Sequence, residues 1–233
     1  MKVLAIDTSN YSLGIALVSR DQVIGEYITN MKKNHSIRVM PAIEKVLQDC
    51  ETKPKELEKI VVARGPGSYT GVRIGVTIAK TLSWTLNIPL VGVSSLAVMA
   101  AGAGRYFNGY VSPLFDGRRG QIYTGLYQYQ NGQLQSSIQD QIILSQNWAD
   151  QLKTSEEQVL FVGSDTLLHF DTLKNALGEK AYFAEWTEHN PRPSELALLG
   201  RDLPGEDVHT FVPNYARLAE AEAKWLEAQK GVK

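Results

Sequence analysis

Short apolar runs separated by polar turns fill the first hundred residues. A short apolar run between turn signals is typical of a buried strand, and a longer 3.6-residue periodicity is typical of a helix. The pattern predicts strands at 3–6, 13–18, 23–28, 60–63 and 90–93, and helices at 35–50 and 72–86. This order, β-β-β-α-β-α-β, predicts an α/β fold in which helices cover a mixed sheet.

The opening pattern begins again after the small-residue stretch 100–104, which we interpret as a domain boundary. A strand at 110–115 ends at Asp116, as the first strand ends at Asp7, and another strand follows at 121–129. Farther along, the sequence predicts a strand at 159–162 and helices at 166–177, 194–203 and 217–229. The spacing therefore indicates a weak internal repeat of two lobes.

The N-terminal lobe is predicted to span residues 1–101 and the smaller C-terminal lobe residues 102–233. The chain is 43% hydrophobic and 21% charged, which is ordinary for a globular protein. Its formal net charge of −1 argues against general nucleic-acid binding by this chain alone. We expect no membrane span and no signal peptide. The single cysteine, Cys50, cannot form an internal disulfide, so we expect it to pack in the core and the protein to be cytoplasmic.

Two glycines, Gly65 and Gly67, lie between the strand at 60–63 and the helix at 72–86, with Ser68 beside them. Glycine suits a turn in which φ is positive or another backbone approaches closely. Free N–H groups at the start of a helix attract anions. A ligand cradle and a tight packing turn both remain open, although the phosphate-loop pattern G-x-x-x-x-G-K-[ST] is absent.

The turn Asp7-Thr8-Ser9 places a carboxylate and two hydroxyls at the end of the first strand. Such a group could hold a hydrated metal or a phosphate, or it could simply close a turn by bonding its own backbone. Asp116, which precedes Gly117-Arg118-Arg119-Gly120, allows the same two interpretations. The four histidines are His35, His169, His189 and His209. None of them forms an i,i+3 or i,i+4 metal pair, so each is predicted to be a surface or capping residue.

Two helices carry surplus packing surface. On the helix at 35–50 an apolar arc of about 160° exceeds the ~100° that suffices to face one core. The arc consists of Val39, Met40, Ala42, Ile43, Val46, Leu47 and Cys50. On the next helix Gly71, Gly75 and Ala79 form a shallow seam at spacing i, i+4, i+8. The arc fits either a deeply buried helix or a helix that contacts a partner, and the two helices together favour a dimer.

Four motifs resemble one family: D-T-S at 7–9, G-P-G-S-Y-T-G-V-R-I-G at 65–75, P-L-V-G-V-S-S-L at 89–96 and P-N-Y-A-R at 213–217. Together they are similar to the TsaB family, also called YeaZ, strongly over the first hundred residues and more loosely beyond. The resemblance implies the actin-like ATPase fold: two ribonuclease-H-like lobes with mixed sheets flanked by helices, the second lobe reduced. It also implies a role in making N6-threonylcarbamoyladenosine (t6A) in tRNAs that read codons starting with adenine.

The same resemblance implies partners. In that pathway TsaD is the catalytic subunit, TsaE is an ATPase and TsaC makes the threonylcarbamoyl donor. We expect a heterodimer with TsaD, TsaE in the assembled complex, a homodimer when the chain is alone, and tRNA contact mainly through the complex. The expected contact residues are His35, Val39, Ala42, Ile43, Val46, Gly71, Gly75, Ile78 and Ala79.

TsaD carries H-x-x-x-H where this sequence has Ser95 and Met99. A serine and a thioether cannot replace two imidazoles on a catalytic iron or zinc. The phosphate-loop pattern D-x-G-[ST] of actin-like ATPases is replaced here by Asp116-Gly117-Arg118-Arg119. We therefore expect a non-catalytic paralogue with no cofactor of its own and, at most, weak adenine-nucleotide binding in the complex. The residues of this vestigial nucleotide or anion site would be Asp7, Thr8, Ser9, Gly65, Gly67, Ser68 and Asp116.

Two alternatives belong to other functional classes. The first is an actin-like ATPase or kinase that uses Asp7 and Asp116 around a magnesium nucleotide; nucleotide turnover that disappears on Asp7→Ala would favour it. The second is a protein that binds tRNA directly through a local basic patch. That patch would consist of Lys32, Lys33, Arg38 and Lys45.

Overall fold

The computed structural model describes residues 1–20, 22–31 and 34–216. The helix predicted at 217–229 and the lysines at 32 and 33 lie outside these residues. The first half contains β1 (Lys2–Asp7), β2 (Leu13–Ser19), β3 (Gln22–Thr29), α1 (Val39–Asp49), β4 (Lys59–Ala63), α2 (Tyr69–Leu86), β5 (Leu90–Val93) and α3 (Ser95–Gly104). The second half contains β6 (Tyr110–Arg118), β7 (Gln121–Gln130), β8 (Gln133–Leu144), α4 (Ser145–Lys153), β9 (Val159–Val162), α5 (Phe170–Leu177), β10 (Ala181–Phe183) and α6 (Pro193–Arg201).

The two halves form two sheets of identical topology. The strand orders are β3-β2-β1-β4-β5 and, read from the matching edge, β8-β7-β6-β9-β10. In each sheet the first three strands are antiparallel neighbours and the last two run parallel to the first. The internal repeat predicted from spacing is therefore confirmed, and β1 corresponds to β6.

Strands β1 and β4 are buried on both faces, which explains their continuous apolar runs. One face, with Leu4 and Ile6, packs against α1 and α2. The opposite face, with Val3 and Ala5, packs against α6. In the second sheet one face packs against α4 and α5, and the other packs against α3. The last helix of each half therefore packs on the sheet of the other half: α3 on the second sheet and α6 on the first.

The exchange of α3 and α6 between the sheets concerns the predicted division into lobes at 1–101 and 102–233. The division stays a prediction, but α6 belongs to the first sheet by packing although it follows the second sheet in the chain. The stretch 100–104, interpreted from sequence as a domain boundary, forms the end of α3. Its small residues permit close packing: a Cβ on Gly104 would lie 2.4 Å from Cγ2 of Val111.

The predicted helix at 35–50 begins later than the apolar pattern suggests. Residues His35–Ile37 form a 3₁₀ turn, and α1 itself starts at Val39. Pro41 lies within the first turn of α1, where a missing N–H costs nothing. Strand β8, helix α4 and strand β10 were not predicted, because their sequences are rich in polar residues or very short.

After α6 the chain runs back along the first sheet. We call residues 203–216 the return segment. Glu206 forms an antiparallel bridge with Leu90, and its carboxylate accepts hydrogen bonds from Gly92 N at 3.0 Å and Arg64 at 2.8 Å. Phe211 is buried in the core between the sheet and α2. The return segment therefore ends close to the start of α2.

Candidate functional site

Asp7 ends β1 and is almost completely buried. One carboxylate oxygen accepts hydrogen bonds from the backbone N–H of Ser9 at 2.8 Å and from its hydroxyl at 2.7 Å. The other oxygen, Oδ2, is buried without a hydrogen-bond partner among the described residues. Burial raises the pKa of Asp7, and the bonds from Ser9 oppose that rise. Asp7 therefore lies beneath the turn surface and not on it.

The glycine motif packs directly on the turn that follows β1. A Cβ on Gly67 would lie 2.2 Å from Ser9 O, and one on Gly71 would lie 2.2 Å from Thr8 O. Ser68 N donates to Ser9 O at 2.6 Å, and Thr8 Oγ1 donates to Gly71 O at 2.7 Å. These glycines allow two backbones to touch, so the packing interpretation of the glycine turn is the one that its contacts support.

Gly65 has a different neighbour. Its φ is +102°, and a Cβ at this position would lie 2.7 Å from Asn214 O in the return segment. Asn214 N donates in turn to Arg64 O at 2.7 Å. The P-N-Y-A motif at 213–216 and the glycine motif are therefore in direct contact. No local sequence signal predicted this contact, because about 150 residues separate its two sides.

The second repeat supplies the opposite wall of a cleft of about 500 Å³. Asp116, near the end of β6, lines the cleft. Ser164 and Asp165, which follow β9, line it as well. Asp165 accepts a hydrogen bond from Asp116 N at 2.9 Å. Behind them His169 Nε2 lies 3.1 Å from Asp116 Oδ1. The cleft thus joins the two turns that the internal repeat relates.

His169 was predicted to be a surface or capping residue. It is the N-cap residue of α5, without a side-chain capping bond, but it is 5% exposed and its ring lies against Asp116, so the surface alternative was wrong. The parallel pairing of β6 with β9 brings together residues about 50 positions apart. The repeat contained the signal, since the loop after β9 corresponds to the glycine loop after β4.

Of the seven residues predicted for a vestigial nucleotide or anion site, four line the cleft: Ser9, Gly67, Ser68 and Asp116. Asp7 and Thr8 are buried beneath it, each about 1% exposed. Gly65 contacts the return segment instead. The lining of the cleft therefore includes four of the seven predicted positions, and Asp7 contacts it only through its hydrogen bonds with Ser9.

Because the sequence resembles actin-like ATPases, a magnesium nucleotide is the ligand to test against this cleft. Phosphate oxygens need free main-chain N–H groups. Here the N–H groups of Ser9, Ser68 and Asp116 already donate to oxygens of the protein. Asp116 and Asp165 also place carboxylates on the wall. The N–H groups of Ser9, Ser68 and Asp116 are therefore not available to a phosphate, and we derive no catalytic step through a nucleotide.

The predicted partner-contact residues fall into two groups. Seven are buried inside the chain: Val39, Ala42, Ile43, Val46, Gly71, Gly75 and Ala79. These side chains are largely covered within the chain, so a partner contact at these positions stays a prediction. Most of the wide apolar arc covers β1, β2 and α2, while Met40 is 46% exposed. His35 and Ile78 are partly exposed.

Two grooves mark the outer surface of α1 and α2. One, of about 690 Å³, is lined by Met40, Leu82 and Leu86 among others. The other, of about 450 Å³, is lined by Tyr69, Ile74 and Ile78 among others. We call this surface the α1/α2 face. It is mainly apolar, and two of the predicted contact residues, Ile43 and Ile78, line its grooves.

Ser95 and Met99, at the positions of the TsaD histidines, are both fully buried at the start of α3. Ser95 Oγ accepts a hydrogen bond from Gly65 N at 3.1 Å. Met99 packs between α3 and the second sheet. Within residues 1–20, 22–31 and 34–216 there is no group of three or more His, Cys, Asp or Glu side chains suited to a metal ion. Over the same ranges no helix is long and apolar enough to span a membrane.

The fold has counterparts among solved structures. A protein from Pseudomonas aeruginosa, described as similar to the peptidase YEAZ, superposes with a TM-score of 0.79 at 23% identity and covers 93% of this chain and 99% of that one. The ROK hexokinase of Thermus thermophilus superposes with a TM-score of 0.51 at 11% identity, covering 86% and 98%. The chain therefore has the predicted actin-like ATPase fold.

Sequence comparison identifies the family. A family model described as TsaD, tRNA N6-adenosine threonylcarbamoyltransferase, matches residues 22–225. The tRNA threonylcarbamoyladenosine biosynthesis protein TsaB of Bacillus subtilis is 58% identical over 230 residues, which cover 99% of this chain and all of that protein. TsaB of Escherichia coli is 36% identical over 130 residues, 55% of each chain. The chain belongs to the TsaB family of tRNA threonylcarbamoyladenosine biosynthesis proteins.

Proposed function

We propose that this TsaB-family chain serves t6A synthesis as a non-catalytic subunit that binds and supports the catalytic subunit TsaD. One observation carries the proposal: the α1/α2 face is apolar and exposed. Met40 is 46% exposed, and Ile37, which precedes α1, is 71% exposed. Large contiguous apolar patches on a folded protein are typical of protein contacts.

The α1/α2 face has the right construction for docking. Ile74, Ile78, Leu82 and Leu86 are only partly buried, and their inner sides pack on the core below. They are therefore held in place before a partner arrives, which reduces the ordering cost of association. A contact of standard size, about 1,600 Å² in total, would support a stable complex. The same patch could close a homodimer, because a two-fold interface uses one surface twice.

The positions of the TsaD histidines support a role without transferase chemistry. Ser95 and Met99 serve internal packing, and neither presents an imidazole to a metal. The bonded state of the N–H groups at the cleft likewise argues against the rival ATPase or kinase. In this proposal TsaE joins the assembled complex and tRNA reaches it mainly through TsaD.

The test is a single charge placed on the α1/α2 face. Ile78→Lys puts an ammonium group into the smaller groove and should weaken association with TsaD at least about tenfold, because a buried unpaired charge is costly. Trp84→Lys is the matched control: Trp84 is 69% exposed on the same helix and lines neither groove. Isothermal titration calorimetry would measure the affinity of each chain for TsaD. A second assay would measure t6A formation with TsaC, TsaD and TsaE present.

Wild-type affinity of the Ile78→Lys chain for TsaD, at an unchanged urea midpoint, would reject the face as the contact. Nucleotide turnover by the purified wild-type chain, abolished by Asp7→Ala, would reject the non-catalytic assignment instead.

A further inference from the structure

Two of the sequence motifs meet at a surface cluster at the border of the smaller groove of the α1/α2 face. Tyr69 and Arg73 belong to the glycine motif on α2, and Tyr215 belongs to the P-N-Y-A-R motif. Arg73 Nε donates to the Tyr215 hydroxyl at 2.7 Å. The guanidinium carbon lies 4.1 Å from the centroid of the Tyr69 ring and 5.6 Å from that of Tyr215. We call these three side chains the tyrosine–arginine stack.

The stack remains open to solvent. Tyr69 is 46% exposed and Tyr215 is 41% exposed, and their rings are 5.4 Å apart with a tilt of 33°. Here two rings and a guanidinium plane are fixed in position while a large part of their surface stays accessible. This is the construction of a preformed stacking platform.

Its position links the cleft with the α1/α2 face. Tyr69 and Thr70 line both the 500 Å³ cleft and the 450 Å³ groove, so the stack stands on the ridge between them. Two further tyrosines, Tyr11 and Tyr123, line the cleft near Tyr69. Arg118 on the opposite wall adds a second guanidinium. The cleft and the adjoining groove are therefore lined by several aromatic rings and by two guanidinium groups.

We propose that the tyrosine–arginine stack binds unpaired nucleobases of an RNA loop. Unpaired bases are recognised by stacking on aromatic rings and guanidinium planes, whereas helical RNA hides its base faces. The family role in tRNA modification makes RNA the relevant polymer. With a net charge of −1, attraction to phosphate contributes little, so stacking must supply most of the affinity and selects loops over duplexes.

The test compares two labelled RNAs: a hairpin with a seven-nucleotide unpaired loop, and the same stem extended into an uninterrupted duplex. Fluorescence anisotropy with the full chain should show at least about tenfold tighter binding of the hairpin. Tyr69→Leu should weaken hairpin binding about 5- to 100-fold, while Tyr69→Phe, which keeps the ring, should bind like wild type. Tyr106→Leu is the control, since Tyr106 is 96% exposed and lines none of the cavities described above.

Salt dependence separates stacking from general charge attraction. The slope of log affinity against log salt should correspond to about one or two phosphate contacts, and Arg73→Lys should keep that slope while lowering affinity, because lysine keeps the charge and loses the plane. A steep slope, equal binding of hairpin and duplex, no binding at millimolar protein, or wild-type affinity after Tyr69→Leu would each overturn the proposal. If Tyr69→Leu disturbs folding, Tyr215→Leu on the same stack decides.

The two contacts have separate readouts, although Tyr69 and Ile78 line the same groove. A chain that fails to bind the hairpin but still associates with TsaD refutes the stack proposal and leaves the proposed function standing. Loss of TsaD association only in Ile78→Lys, with hairpin binding lost only in Tyr69→Leu, would support both.

Discussion

Gly75→Ala tests whether the glycine seam of α2 serves internal packing. From the sequence alone, Gly75 was expected to contact a partner. In the structure a Cβ on Gly75 would lie 2.4 Å from Thr8 Oγ1, about 1 Å closer than ordinary contact allows. The substitution should therefore destabilise the chain itself, because α2 or the turn after β1 must move.

The expected size of the effect follows from two opposing terms. Overpacking a well-packed site costs about 1–3 kcal/mol. Replacing a helical glycine by alanine returns about 0.5–1 kcal/mol. The free energy of unfolding should fall by roughly 1–2 kcal/mol, which the midpoint of urea denaturation, followed by circular dichroism, will resolve if the m-value is unchanged.

A second substitution identifies the atom responsible. Thr8→Ala removes Oγ1, which among the described residues outside this helix is the one atom within 3 Å of the Gly75 Cβ position. Gly75→Ala should therefore cost much less in the Thr8→Ala background. Gly71→Ala should show no such rescue, because its Cβ would meet the backbone oxygen of Thr8 at 2.2 Å. Gly102→Ala is the control, since its nearest neighbour is a flexible Arg192 side chain at 3.3 Å.

Two results would refute this reasoning. If Gly75→Ala is as stable as wild type, α2 is not seated on Thr8 as described. If Gly75→Ala costs the same in the wild-type chain and in the Thr8→Ala background, the clash arises elsewhere.

Three further predictions concern charged groups. Burial raises the pKa of Asp7, so the folded state favours the protonated carboxyl, and the free energy of unfolding falls as pH rises above the unfolded pKa of about 3.9. The stability gained by Asp7→Asn should therefore grow from pH 3 to pH 7. It would be constant with pH if Asp7 were hydrated. Although burial opposes it, hydrogen bonds from Arg192 and Ser194 lower the pKa of Glu26. The contribution of Glu26 to stability is therefore complete above about pH 4.3 and is lost as pH falls through the lower folded pKa. Glu26→Gln should remove this loss of Tm at low pH from a pH series of thermal unfolding, and an unchanged series would contradict the pairing. Lys59 Nζ donates to the backbone carbonyls of Arg201, at 2.5 Å, and Leu203, at 2.7 Å. Lys59→Met should therefore lower the free energy of unfolding by about 1–3 kcal/mol and Tm by several degrees. An unchanged Tm would show that water replaces the ammonium group.

The internal repeat shows how far sequence reasoning reached for the fold. The apolar runs at β1, β4 and β5 identified buried strands, because strands covered on both faces are continuously apolar. Strand β8 escaped detection because it lies at the edge of its sheet and carries polar residues on its exposed positions. Helix α3 escaped because alanine and glycine signal flexibility in a sequence, while in this core they allow a helix to lie between two sheets.

For the site, sequence reasoning found the right loops but assigned them the wrong surroundings. Ser9, Gly67, Ser68 and Asp116 do meet at one cleft. The partner of Asp116, His169, and the contact of Gly65 with Asn214 were not predicted. Both contacts join residues from distant parts of the chain, so local spacing carries no information about them.

The amino-acid sequence determined the α/β class, the two-lobe repeat and the family, because these depend on local periodicity and on short motifs whose spacing is fixed along the chain. Only the tertiary structure decided which apolar residues of α1 and α2 are internal and which form an outer face. Periodicity shows that a helix has an apolar side, but whether that side meets its own sheet or another protein depends on what the rest of the chain places against it. The same holds for the tyrosine–arginine stack, whose members come together only because the return segment crosses the start of α2.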